Sequence, residues 1–223
     1  MKRNLKAVFF DFDGTIVNSE IFHYRCFVEV LNEVGVNLEE SDYFLNYAGV
    51  PTDINSEKTV KKYGLEISPS ELTERIEELV VRHQNTHDPI LMPYAEESIK
   101  KYKEKGLILG IVTASPLRSV EIFFTKKDFK DDFSFTVTFD DVENSKPNPE
   151  CYLQALEKSK VKSSEVIVFE DTQNGVKAAK AAGLTCFAIQ SEKELHFKLE
   201  AADKIFTSLK EANEYVADNF ILG

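Results

Sequence analysis

Ala7-Val8-Phe9-Phe10 is a short, continuously apolar, β-prone run that gives way at once to two aspartates. A run without polar alternation reads as a strand buried on both faces, the habit of a parallel sheet. Comparable runs recur at 107–112, 166–169 and 185–189, with a weaker alternating one at 133–139 and a short one at 204–206. Between them the apolar spacing lengthens to three or four residues, which predicts helices near 94–105, 116–126, 149–159, 173–182 and 208–217. Strand and helix in alternation predict a doubly wound, mostly parallel, Rossmann-like α/β sheet core.

One stretch breaks the alternation. Phe27, Val30, Leu31 and Val34 form an amphipathic helical stripe, and Leu72, Ile76, Leu79 and Val80 form another. Ser68-Pro69-Ser70-Glu71 stands before the second stripe as a capping box with proline at the first helical position. Residues 18–88 therefore read as an all-α cap inserted just after the first strand. Residues 1–17 and 89–223 supply the α/β core.

Apolar residues make up 43% and charged residues 29% of the 223, which fits a soluble globular chain and disfavours a disordered or coiled-coil one. The net charge of −11, with no long basic run, argues against nucleic acid and anionic membrane as partners. Cys26, Cys151 and Cys186 are odd in number and scattered, so reduced thiols are expected. The first apolar run is too short for a signal peptide or a membrane span, and the expected address is the cytoplasm. Oligomeric state leaves no trace in the sequence.

Candidate chemistry gathers at the strand ends, where open α/β sheets hold their ligands. The first strand runs into Asp11-Phe12-Asp13-Gly14-Thr15. Carboxylates two apart on an extended strand end point the same way, which is costly unless a cation or a proton lies between them. An acidic turn here, in place of a glycine-rich loop, disfavours a dinucleotide site. The second strand ends in Thr113-Ala114-Ser115-Pro116, whose hydroxyls and free N–H groups suit a phosphate. Ser115 before Pro116 also has the look of a helix N-cap. Lys146-Pro147-Asn148-Pro149 holds one lysine in a stiffened loop. Glu170-Asp171 closes the run Val166–Phe169 and can complete a hard-cation site with the first acidic pair.

These four motifs, in this order and each after a strand, resemble the haloacid dehalogenase-like superfamily, in the subgroup with a helical cap inserted after the first motif. The resemblance spans about residues 5–190. It implies that Asp11 is a nucleophile forming an aspartyl-phosphate. It implies that Asp13 is the general acid and base. It implies Mg²⁺ held by Asp11, the Asp13 carbonyl and Asp171, with Glu170 direct or through water, and a phosphate clamp of Thr113, the Ala114 N–H and Lys146. Such an arrangement makes physical sense, because a carboxylate approaches a phosphate dianion only when cations cancel the repulsion.

Asp13 disfavours a true haloacid dehalogenase, which needs no leaving-group acid. The expectation is a Mg²⁺-dependent phosphatase acting on a small phosphorylated metabolite, a sugar or polyol phosphate, whose choice rests on cap residues. The alternative is a β-phosphoglucomutase-like isomerase, which the opening through His23 also resembles. That family carries basic residues beside a Gly-Val in its cap loop, whereas Ala48-Gly49-Val50-Pro51-Thr52 has none. Lys58, Lys61 and Lys62 follow on what reads as a separate helix. A phospho-acceptor signalling module is more remote, being shorter and placing its aspartate on a later strand. His23 is as well explained by packing as by substrate contact. His83 and His87 have a zinc-compatible spacing, but Gln84 stands where a metalloprotease needs glutamate.

Overall fold

The computed structural model of the chain describes residues 2–48, 50 and 52–223. After β1 (Arg3–Leu5) the chain enters β2 (Ala7–Phe10), all four residues of which are buried. The other strands of the main sheet are β3 (Ile108–Val112), β4 (Phe135–Val137), β5 (Val166–Glu170), β6 (Thr185–Ile189) and β7 (Lys204–Phe206). They run in the order β4-β3-β2-β5-β6-β7, every neighbouring pair parallel. The central strand β2 pairs with β3 on one side and β5 on the other, with Phe10 opposite Ile111 and Phe169. That flanking creates a switch point beyond the C-terminal end of β2, the usual position of a ligand site in such sheets.

Side chains on β2 alternate between two cores. Val8 and Phe10 join a cluster with Ile99 and Tyr102 of α5 (Ala95–Glu104), Val120 and Phe123 of α6 (Leu117–Lys126), and Ala212 and Val216 of α9 (Leu209–Asn219). Ala7 and Phe9 join a second cluster with Tyr152 and Ala155 of α7 (Glu150–Ser159) and Val176, Ala178 and Ala179 of α8 (Gln173–Ala181). Helices on both faces explain why β2 tolerates no polar residue until its end. Each buried phenylalanine contributes about 2 kcal/mol of burial free energy.

The chain divides into two compact units, residues 1–17 with 90–223, and Asn18–Pro89. The second unit is wholly helical: α1 (Ser19–Glu33), α2 (Glu40–Asn46), α3 (Thr52–Tyr63) and α4 (Pro69–Thr86). Its own core joins Phe27, Val30 and Leu31 of α1 to Leu72, Ile76, Leu79 and Val80 of α4, with Tyr43 and Tyr47 beside them. Both amphipathic stripes meet here. Ser68 caps α4 by accepting from the Glu71 N–H at 3.2 Å, with Pro69 at the first helical position. Of the cap-loop motif, Gly49 and Pro51 lie outside the described residues.

Two strands, β1 and β8, have no counterpart in the expected pattern. The chain ends in β8 (Phe220–Leu222), which pairs in parallel with β1 as a separate two-stranded sheet. Three-residue strands are too short to leave a periodic signature. No described helix is long and apolar enough to cross a membrane.

Candidate active site

Asp11 follows β2 directly, its N–H donating to the Phe169 carbonyl at 2.9 Å, so the adjoining strand β5 fixes where its carboxylate emerges. Lys146 arrives from the loop after β4. Its ammonium donates to Asp11 Oδ1 at 2.6 Å, to Glu170 Oε1 at 2.7 Å and to the Val112 carbonyl at 2.9 Å. Both ion pairs are nearly dry, with the lysine side chain 5% exposed and that of Glu170 not at all. The proline-stiffened loop thus delivers one cation to the ends of three strands.

Glu170 is saturated. Its Oε1 accepts from Lys146 and from the Tyr152 hydroxyl, and its Oε2 accepts from the N–H groups of Asp171 and Thr172 and from the Thr172 hydroxyl. Asp171 differs. Its Oδ1 is buried with no hydrogen-bond partner. Oxygens of Asp11, Glu170 and Asp171 all lie within 4.8 Å of one another. Two glycines permit this crowding. A Cβ on Gly14, whose φ is +73°, would sit 2.0 Å from Asp171 Oδ2, and a Cβ on Gly175 would sit 1.6 Å from Glu170 Oε1.

Three carboxylates, those of Asp11 and Glu170 buried and that of Asp171 half-buried, face one ammonium, and their titration reflects the imbalance. Burial, then the charge of Glu170, pushes Asp11 up to about 8, against the opposing pull of Lys146. Burial, then Asp11 and Glu170, raises Asp171 well above the usual carboxylate range. Burial alone would lower Lys146, but the charges of Asp11 and Glu170 outweigh it and hold the ammonium above the ordinary lysine value. A surplus of buried negative charge, an orphaned carboxylate oxygen and an all-oxygen donor set fit a small hard cation.

Asp13, two residues past Asp11, is held separately, its Oδ2 accepting a short hydrogen bond from the Ser115 hydroxyl. Ser115 is itself laced in place: its N–H donates to Thr113 Oγ1 at 2.9 Å and its carbonyl accepts from the Phe139 N–H at 3.0 Å. The N-cap reading of Ser115 is corrected here. Pro116 occupies the N-cap of α6, and Asp140 Oδ2 accepts from the Leu117 N–H at 2.7 Å in the capping role. Freed from capping, Ser115 orients an acid. Thr113 is buried at the end of β3, and since its oxygen accepts from Ser115, its own proton remains available to a ligand. Among the described residues no backbone group accepts from the N–H of Phe12, Asp13 or Ala114, which leaves three donors beside the acids.

Asp11, Glu170, Asp171 and Lys146 therefore form one contact cluster, with Asp13 and Thr113 joined through Ser115. Tyr152 and Thr172 are not singled out by the sequence, and Ser115 is read there only as a hydroxyl suited to a phosphate or as an N-cap. Thr172 carried a faint signal, a threonine three before Gly175 at helix-cap spacing, and it caps α8 at 3.0 Å. Tyr152 carried none, since an aromatic on an apolar helical face reads as core. The remaining candidates lie in the helical unit. His23, on α1, is half-buried beside the Phe22 ring. His83 and His87 stack at 4.6 Å, with His83 Nε2 3.6 Å from Glu29.

A parallel sheet that gathers acids and one lysine beyond its central strands defines a doubly wound α/β protein with an acidic site at its switch point. Residues 8–189 match the model of the haloacid dehalogenase-like hydrolases, and the chain belongs to that family. It is 30% identical over 93% of both chains to YhcW of Bacillus subtilis, provisionally named a phosphatase. It is 28% identical to hexitol phosphatase B of Escherichia coli, over 94% of this chain and 95% of the relative. A solved structure from Thermotoga maritima, provisionally named a beta-phosphoglucomutase, superposes with a TM-score of 0.80 at 27% identity, covering 96% of this chain and 99% of the other.

Proposed function

We propose that the protein is a Mg²⁺-dependent phosphatase that hydrolyses a small phosphorylated metabolite, a sugar or polyol phosphate, through an aspartyl-phosphate on Asp11. One observation carries the reading: the Asp11 carboxylate is buried, with one oxygen clasped by Lys146 and, within 4.8 Å, an oxygen of Asp171, a carboxylate whose Oδ1 has no hydrogen-bond partner. Asp11 attacks phosphorus while the bond to the leaving oxygen breaks, and Asp13 gives that oxygen its proton. Asp13 then takes a proton from water as the water attacks the aspartyl-phosphate, which releases inorganic phosphate and restores Asp11. Thr113, the Ala114 N–H and Lys146 hold the phosphoryl oxygens, stabilising charge as it develops. Asp11, Asp171 and the Asp13 carbonyl would hold the cation, with Glu170, its oxygens already engaged, reaching it through water. Bound Mg²⁺ supplies neutralisation of the phosphate charge.

Hexitol phosphatase B, by its name, acts on phosphorylated hexitols, which supports the sugar or polyol class. Hydrolysis is favoured over isomerisation by two of the three lysines of α3, Lys58 and Lys62. Lys58 donates to the Asn46 carbonyl at 2.6 Å and lies over the Tyr47 ring, while Lys62 pairs with Asp42 at 2.8 Å. Both are engaged within their own unit and not poised for a second phosphate, which a mutase must retain. A cytoplasmic setting suits the three cysteines, all buried and free. The test is a panel of sugar and polyol phosphates with Mg²⁺, including β-glucose 1-phosphate with a trace of the 1,6-bisphosphate. Free phosphate should outpace isomerised product on every substrate; glucose 6-phosphate forming faster than phosphate would establish the isomerase.

A further inference from the structure

Tyr152 is an aromatic side chain with no exposed surface, a member of the same buried cluster as Val112, Val137 and Val168. A tyrosine so placed normally needs a partner for its hydroxyl. The partner here is Glu170 Oε1, 3.0 Å away, the same atom that Lys146 grips at 2.7 Å. The Lys146 ammonium also stands 5.2 Å from the centroid of the Tyr152 ring. One side chain thus touches both members of the buried ion pair, its hydroxyl on the anion and its ring face toward the cation. Tyr152 lies in the first turn of α7, which begins at Glu150, so the stiffened Lys146–Pro149 loop and the helix behind it close on Glu170 together.

We infer that Tyr152 is a positioning residue that holds Glu170 Oε1, and through it the Lys146 ammonium, in register with Asp11. Lys146 has two carboxylates to choose between. A Glu170 free to turn would draw the ammonium after it and loosen the contact on Asp11 Oδ1. The hydroxyl removes that freedom by filling the second acceptor direction of Oε1, while Thr172 and the Asp171 N–H fix Oε2. The ring adds a face that favours a cation at that spot. Phenylalanine would keep the ring and the packing and lose only the fixing of Oε1.

The inference rests on the catalytic reading of Lys146, and a double-mutant cycle separates the two. Tyr152→Phe, Lys146→Ala and the double variant are compared with the parent protein, using p-nitrophenyl phosphate turnover with Mg²⁺ and, as a readout apart from turnover, orthovanadate binding by calorimetry. Tyr152→Phe should melt within a few degrees of the parent, lose about tenfold in kcat with KM within about twofold, and weaken vanadate by a similar factor. In the Lys146→Ala background the same change should alter neither readout by more than about twofold, because the residue it acts through is gone. Equal losses in both backgrounds, or no loss in the first, would overturn the inference and leave the catalytic reading standing. Full activity and unchanged vanadate binding in Lys146→Ala would overturn both.

Discussion

At the scale of single residues, the site concentrates its chemistry in charges that cannot be moved. Asp11→Asn should reduce turnover to less than about one per cent, because an amide is a poor nucleophile, yet the variant should melt no lower than the parent in chelator. Removing one of three crowded carboxylates relieves repulsion and leaves the Lys146–Glu170 pair intact. Differential scanning calorimetry beside steady-state kinetics checks both halves. Lys146→Ala should cost about 3 kcal/mol of transition-state stabilisation in kcat/KM, the order found for a preorganised donor at a developing charge. Lys146→Arg should recover little of it. The ammonium touches Asp11, Glu170 and the Val112 carbonyl in a space 5% exposed, and a flat guanidinium cannot meet three acceptors arranged around a point.

At the scale of elements, closeness of approach decides function. Gly175 opens the first turn of α8 beneath the Glu170 carboxylate, and an added methyl would land 1.6 Å from Oε1. Gly175→Ala should therefore lower activity by more than about tenfold and stability by about 2 kcal/mol, since either α8 or a buried anion must shift. Urea unfolding and kinetics on the same preparation measure the two effects. Much of this level was legible in advance. Unbroken apolar runs ending in acid or hydroxyl marked the central strands, because a strand covered on both faces can change character only where it leaves the sheet. Glu170 and Asp171 were visible for the same reason, whereas Lys146 stood out only through the prolines of its loop and the order of the family motifs. What stayed hidden depends on partners distant in the chain. Ser115 had a sequence-local use as a cap, and only Asp140, beyond the next strand, releases it to hold Asp13. Tyr152 is indistinguishable from core until Glu170 is seen beside its hydroxyl. The β1–β8 pair joins the two ends of the chain through three residues each, below the length at which any period shows.

At the scale of the whole molecule, turnover should require a divalent cation and stop in excess chelator. Ca²⁺ should replace Mg²⁺ poorly, because its longer bonds and higher coordination would displace phosphorus from the line of attack. Phosphate release followed during metal titration tests this, and full activity in chelator would remove the metal from the mechanism. A further consequence lies in the seam where the helical unit joins the sheet unit. Val17 and Leu91, the residues on either side of the departure and return, are bridged antiparallel, and the Met92 N–H donates to the Ile16 carbonyl at 2.8 Å. The excursion from 18 to 89 thus leaves and re-enters through a doorway one bridge wide, which a short glycine–serine loop could close. Excising it should leave a sheet unit that melts cooperatively by circular dichroism. Because Asp11, Lys146, Glu170 and Asp171 all lie outside the excursion, the proposed function predicts that grafting a relative's helices into the same doorway changes which esters are accepted and leaves p-nitrophenyl phosphate turnover within about tenfold of the parent. A front end of that kind would let evolution revise a diet without relearning the chemistry.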